Sequence, residues 1–193
     1  MENDWLFGYP TVILISGKAG SGKSYVADKI MSLLDELKGI WKIRASFATN
    51  VKSAATNYFG WDGEKDDKGR QLLQNIGSIG RIYNKDLWVE STFSDIYDTT
   101  FGIPLNVIVI DDWRFPNESE YLEKRFKVWK IRIISEKFNS LKGTPRENDI
   151  SETALDNYDG FDIEIVNNST LEELDKLVEL AFQMILKEAV YNG

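Results

Sequence analysis

A chain of 193 residues fits the ~100–200 residues of one ordinary domain, and 42% hydrophobic with 12% aromatic residues supply a buried core and exclude disorder. With no Cys and no His, disulfides, thiolate metal sites, cysteine nucleophiles, His-based triads and the commonest zinc ligand are all excluded, so any chemistry must rest on Lys, Arg, carboxylates, hydroxyls and backbone amides. The formal charge of −8 argues against a protein that coats nucleic acid or an anionic membrane, but 12 acidic residues against Lys176 and Lys187 between Glu147 and Glu188 leave the remainder at +2, where small anions can bind.

In chain order, the acidic Met1-Glu2-Asn3-Asp4 is unlike a leader, and no apolar run approaches the ~18 residues of a spanning helix, so the expectation is a soluble, cytoplasmic chain with no membrane partner. Thr11 to Ser16 is a short apolar run predicted as a strand buried on both faces of a parallel sheet. It runs into Gly17-Lys18-Ala19-Gly20-Ser21-Gly22-Lys23-Ser24, a full match to G-x-x-x-x-G-K-[ST]. A helix follows, with Val26, Ile30, Leu33, Leu34 and Leu37 at helical spacing and Gly39 as its stop. Phosphate oxygens need converging donors, so glycines let the backbone amides wrap closely and the helix N-terminus adds positive potential. The loop therefore predicts ATP held by residues 17–24, with Lys23 at the β- and γ-phosphates and the Ser24 hydroxyl on Mg²⁺.

Trp41, Ile43, Ala45 and Phe47 alternate with Lys42, Arg44 and Ser46 as a second strand. Residues 48–100 carry helical signals, with Leu72, Leu73, Ile76 and Ile79 on one face, and form a candidate acceptor-binding region within a single 1–193 domain. Residues 106–110 are a wholly apolar strand ending in Asp111 and Asp112, placed to contact Mg²⁺ because carboxylates at strand C-termini face the ligand crevice. A helix containing Tyr121, Leu122 and Phe126, strands over 128–134 and 161–166, and a final amphipathic helix capped by Ser169 or Thr170 complete an alternating α/β pattern. About 26 residues separate the last two strands, and the polar stretch 135–152 is a lid candidate.

Four segments then resemble one family, the deoxynucleoside monophosphate kinases of tailed bacteriophages. They are Ala48-Thr49-Asn50-Val51-Lys52, the stretch from Leu72 to Gly77 leading to Arg81 and Trp88, Asp112-Trp113-Arg114-Phe115-Pro116-Asn117-Glu118, and Ser151-Glu152. The resemblance implies a P-loop NTPase three-layer sandwich with a five-stranded parallel sheet and a mobile lid. It also implies ATP and Mg²⁺ as cofactors, and transfer of the γ-phosphoryl group to a deoxynucleoside monophosphate.

Two highly charged phosphates must be brought together in such a reaction, so cations are needed on both sides. Lys23, Arg114, Arg146 and Arg81 are the catalytic candidates, with Arg146 drawn from the lid, and its competitors are Lys137 and Lys142 in the same lid and Arg132 at a strand end. Lys52, Arg70, Arg81, Trp88, Asp112, Arg114 and Glu152 are the substrate-binding candidates, and Ser24, Asp111 and Asp112 the metal ligands. Glu118, Asp149 and Glu152 are expected either to orient the arginines or to contact the sugar or base, while Trp61, Trp88 and Trp113 are either base contacts or core. The chain departs from the family pattern where Asp149-Ile150 precede Ser151-Glu152 in place of a His, and where Ser24 follows Lys23 directly. A kinase acting on hydroxymethylpyrimidine in nucleotides or DNA, and a non-catalytic nucleotide-binding switch, stay open as alternatives. DNA is a partner only under the first, and no basic stripe favours it. The oligomeric state is left open, a homodimer included.

Overall fold

The apolar runs of the sequence become the middle of a sheet because each is too hydrophobic to show either face to water. The computed structural model describes residues 10–101, 103, 105–137, 141 and 143–191, without the side chains of 145, 146 and 189–191. Those residues form two compact units, 1–44 with 104–193, and 45–103.

In the first unit, β1 (Thr11–Gly17) lies between β3 (Val107–Ile110) and β4 (Lys127–Ile134), and the sheet order is β2-β3-β1-β4-β5, with β2 at Lys42–Ala45 and β5 at Ile163–Val166. The sheet is parallel, with Thr11 opposite Val107 and Lys127, and Gly17 opposite Ile133. All strands therefore end at one edge. Helices α1 (Lys23–Asp35) and α7 (Leu171–Tyr191) bury Val26, Ile30, Leu34, Leu174, Val178 and Ile185 against Ile13, Ile15, Ile131 and Ile133. Full burial of such side chains is worth ~1.5–3 kcal/mol each, so this layer is the main anchor of the edge above it. Helix α5 (Pro116–Glu123) packs on β4, and Thr170 caps α7 by accepting from Glu173 N.

The second unit is helical throughout its described elements, with α2 (Ala48–Phe59), α3 (Asp67–Tyr83) and α4 (Leu87–Thr99) packed on one another. Its packing differs from the apolar face read in the sequence: Ile79 is exposed, and the buried positions of α3 are Gly69, Gly77 and Gly80. A Cβ on Gly80 would stand 2.4 Å from Cζ2 of Trp88, so the missing side chain is what lets the indole lie against the helix. Strand β2 is shorter than the predicted alternation, because Phe47 already stands at the N-terminus of α2, and α5 ends before Phe126. The lid candidate 135–152 contains a 3₁₀ turn (Pro145–Asn148) and leads into α6 (Ile150–Thr153).

Candidate active site

The loop between β1 and α1 turns on Gly22, whose φ of 101° is left-handed and whose Cβ, if it had one, would sit 2.8 Å from Asn167 Nδ2. That amide, just past β5, donates to Ser21 O at 2.9 Å and braces the loop from beneath. The Lys23 ammonium folds over its own loop and donates to Gly17 O at 2.7 Å and Lys18 O at 2.8 Å. Ser21 Oγ is buried without a hydrogen-bond partner among the described residues, an unmet polar atom inside the cradle.

Ser24 Oγ donates to Asp111 Oδ2 at 2.8 Å, so the first turn of α1 and the end of β3 are joined by two of the three residues expected to hold the metal. A hydroxyl that donates to a carboxylate keeps its oxygen lone pairs for a hard cation, and the pair fits Mg²⁺ for that reason. The same Oδ2 accepts from Arg44 Nη2 at 2.6 Å, and Nη1 of that guanidinium pairs with Asp28 of α1. Burial works against the charge of Arg44, but Asp111 and Asp28 outweigh it and hold its pKa above the ordinary value. Asp112 is half-buried beside this pair.

The string from Asp112 to Glu118 acts as one device. Trp113 is fully buried, its indole N–H donating to Phe115 O at 2.8 Å and its ring meeting Tyr158 edge-on at 5.3 Å. The structure thus resolves this tryptophan as core. The buried Glu118 carboxylate accepts from Arg114 N at 3.0 Å and Phe115 N at 3.1 Å, and Pro116 opens α5 where no N–H is needed. With its backbone fixed, Arg114 donates through Nη1 to Ser151 O at 2.8 Å and pairs with the Glu152 carboxylate. The other oxygen of Glu152 accepts from Ala19 N at 3.1 Å, while Lys18 Nζ reaches Glu152 O at 2.6 Å and Asp156 at 2.5 Å. Asp149 caps α6 through Ser151 N at 2.8 Å. Short as it is, α6 is stitched to the loop by these contacts, and a cavity of about 180 Å³ opens between them, lined by Gly17, Lys18, Arg114, Arg132, Ser135 and Glu152.

Burial lowers the pKa of Lys23 to about 8, the positive charge of Arg114 adds to the effect, and Glu152, Asp111 and Asp112 only partly oppose it.

Lys52, Arg70, Arg81 and Trp88 belong to the helical unit. Arg70 Nε donates to Lys65 O at 2.7 Å, Arg81 lies over the bare Cα of Gly77, and Trp88 Nε1 donates to Gly77 O at 3.0 Å. The Trp61 indole donates to Glu64 O at 2.8 Å. The side chain of Arg146 and the whole of Lys142 lie outside the described residues. Arg132 stands at the strand end, its guanidinium 5.1 Å from the ring centre of Phe161, and Lys137 is exposed. Arg44, Asn167 and Asp156 take part in the site although no motif marks them: Arg44 reads only as a polar member of an alternating strand, and Asn167 and Asp156 meet the loop through contacts across more than a hundred residues of sequence.

No protein-family model matches the chain. Among solved structures it is similar to shikimate kinase from Acinetobacter baumannii in complex with shikimate (15% identity, TM-score 0.49, 93% of this chain and 94% of that one). It is also similar to a gluconokinase from Sinorhizobium meliloti 1021 (14%, 0.47, 95% and 98%) and to the hexameric APS kinase from Thiobacillus denitrificans (11%, 0.46, 94% of this chain but 30% of that one). At such identities and TM-scores below 0.5, these likenesses say nothing of the substrate. Two proteins of Ictalurid herpesvirus 1 (strain Auburn) align along most of the chain: uncharacterized protein ORF76 is 29% identical over 190 residues, 93% of this chain and 70% of its own length. Uncharacterized protein ORF77 is 30% identical over 181 residues, which cover 91% of this chain and 74% of the relative. On that extent of shared sequence, the chain belongs to the family of Ictalurid herpesvirus 1 ORF77.

Proposed function

We propose that the protein is a nucleotide-dependent phosphotransferase that moves the γ-phosphoryl group of ATP to a small acceptor, a deoxynucleoside monophosphate. One observation carries the reading: the loop turns on a left-handed Gly22 into α1, the Lys23 ammonium folds over it, and Ser24 Oγ stands 2.8 Å from Asp111 past the end of β3, so backbone amides, a cation and a hydroxyl–carboxylate pair meet where a polyphosphate and its metal would lie. ATP bound with Mg²⁺ supplies the phosphoryl group and a divalent charge beside it. Lys23 neutralises the phosphates, the amides of residues 17–24 orient them, and Ser24 with Asp111 offers the metal a hydroxyl oxygen and a nearby negative charge. Arg114, its backbone held by Glu118, offers charge to the transferred group once its ion pair with Glu152 exchanges for phosphate. Lys52, Arg70 and Arg81 are assigned to the acceptor's phosphate, and Arg146 to the lid. The phage family resemblance supports a role in deoxynucleotide supply, and the relationship to ORF77 supports a viral origin alone.

Glu152 supports a second reading. A phosphate acceptor needs no general base, whereas a hydroxyl acceptor does, and Glu152 puts a carboxylate against Ala19 N at the mouth of the loop. A hydroxymethylated pyrimidine nucleotide would use it.

The test is a panel of the four common deoxynucleoside monophosphates and their hydroxymethylated pyrimidine analogues with ATP and Mg²⁺, products identified by mass. Deoxynucleoside diphosphates are expected, with loss in Lys23→Ala. A phosphorylated hydroxymethyl group would transfer the assignment to the second reading. Inorganic phosphate alone, at a rate no acceptor alters, would leave a switch and sink both.

A further inference from the structure

Arg44 has no part in the transfer described above, yet it touches the carboxylate on which the metal pair depends. It donates from β2 to Asp111 Oδ2 at 2.6 Å, and that oxygen also takes the Ser24 hydroxyl at 2.8 Å. Its second nitrogen pairs with Asp28, so the guanidinium bridges β2, β3 and α1. The Asp111 side chain is 12% exposed and that of Arg44 30%, so the contact is shielded, while Asp28, at 69%, is a weak solvated anchor. A guanidinium keeps its charge at every working pH. A divalent cation arriving alone at Ser24 therefore meets a carboxylate whose charge is already taken up, and a second positive charge a few ångströms away.

We propose that Arg44 is a positioning residue that serves as a resident counter-cation on Asp111. It holds the carboxylate toward Ser24 in the nucleotide-free protein and disfavours binding of the bare metal, so that the metal enters with the phosphates rather than ahead of them. A polyphosphate reverses the balance, because its own negative charge offsets Arg44 and restores the attraction for the cation. This deepens the reading of Ser24 and Asp111 as the metal pair and rests on it.

The experiment measures Mn²⁺ binding by electron paramagnetic resonance, with and without ADP, together with metal-free ADP binding by calorimetry. It compares the whole protein with Arg44→Gln, which keeps a donor for Asp111 but not the charge, and Arg44→Lys, which keeps the charge. Wild type is expected to bind Mn²⁺ weakly alone and tightly with ADP. Arg44→Gln should bind Mn²⁺ without nucleotide about tenfold tighter and metal-free ADP more weakly, with Arg44→Lys close to wild type. Equal or weaker Mn²⁺ binding in Arg44→Gln overturns the proposal. So does tight Mn²⁺ binding by wild type without nucleotide, a result that needs no variant to fold. Absence of ADP binding to wild type would instead remove the phosphate-loop reading, whereas normal ADP binding with a metal affinity indifferent to Arg44 removes this inference alone.

Discussion

In the sheet-bearing unit, most polar and charged side chains of the site are fixed by partners remote in sequence, Ser24 and Arg44 by Asp111, Arg114 by Glu152 and Lys18 by Asp156, while Lys23 folds onto Gly17 and Lys18 of its own loop. In the helical unit, the corresponding candidates are fixed close to home, Arg70 by Lys65 and Arg81 over Gly77, with Trp88 reaching back to the neighbouring helix. Parallel strands in register end at one edge, so each strand delivers its last side chain to the same place and the sheet core holds it there. The Arg70 contact ties that cation to the turn before its own helix. The first arrangement suits the polyphosphate proposed for it, and the variants below test whether the helical unit takes the acceptor.

The largest expected effect breaks the comparison at its fixed end. Lys23→Met should reduce ATP affinity on the order of a hundredfold or more, the scale of truncating a desolvated charge partner, with turnover falling at least as far. The nucleotide-free protein should melt no lower than wild type, because the substitution removes an ammonium that burial and Arg114 already disfavour. Calorimetry and a melting curve read both, and a large loss of stability with ATP affinity intact would refute the account.

Two glycines sharpen the contrast. Gly22→Ala forces a left-handed residue and a Cβ 2.8 Å from Asn167 Nδ2, while Gly80→Ala drives a Cβ into the Trp88 ring at 2.4 Å. Each should cost about 1–3 kcal/mol in chemical denaturation. Gly22→Ala is expected to weaken nucleotide binding as well, whereas Gly80→Ala should raise the acceptor KM and spare the Kd for ATP. If both acted on ATP alone, the division of labour between the units would be wrong. Arg81→Met is milder, with an acceptor KM up about tenfold and ATP affinity unchanged.

The same contrast governed what could be read from the sequence. The strands, α1 and the loop were legible because long apolar runs and a fixed glycine spacing have few other physical uses, and Asp111 was legible by its place at a strand end. The device around Arg114 was half legible: the string marked it, but that Glu118 holds its backbone and Glu152 its guanidinium depends on two chain segments meeting. Arg44 was hidden because alternation gives the face of a strand residue and not the carboxylate across the sheet. On α3 the apolar periodicity holds for the half-buried Leu72, Leu73 and Ile76 but not for the exposed Ile79, and it misses the buried glycines because small residues leave no mark in a hydrophobic pattern.

The smallest expected effect follows from Lys23 having a pKa of about 8 where an unperturbed lysine has 10.5. Only the ammonium grips phosphate, and a bound polyanion pulls the pKa back up, so binding above pH 8 must take up a proton. Affinity for ATP should therefore hold up to about pH 7.5 and fall about fourfold by pH 8.5, with calorimetric enthalpies that differ between buffers of different ionisation heat. Stability of the nucleotide-free protein moves the other way. The unfolded lysine binds its proton up to about 10.5 and the folded one only to about 8, so the unfolded state holds more protons across that window and stability rises with pH through it. Lys23→Met should flatten both slopes, whereas Arg81→Met should leave both intact because its charge belongs to the helical unit. A pH dependence of ATP affinity that survives in Lys23→Met would place the titrating group elsewhere and separate the Lys23 ammonium from the phosphate contact assigned to it.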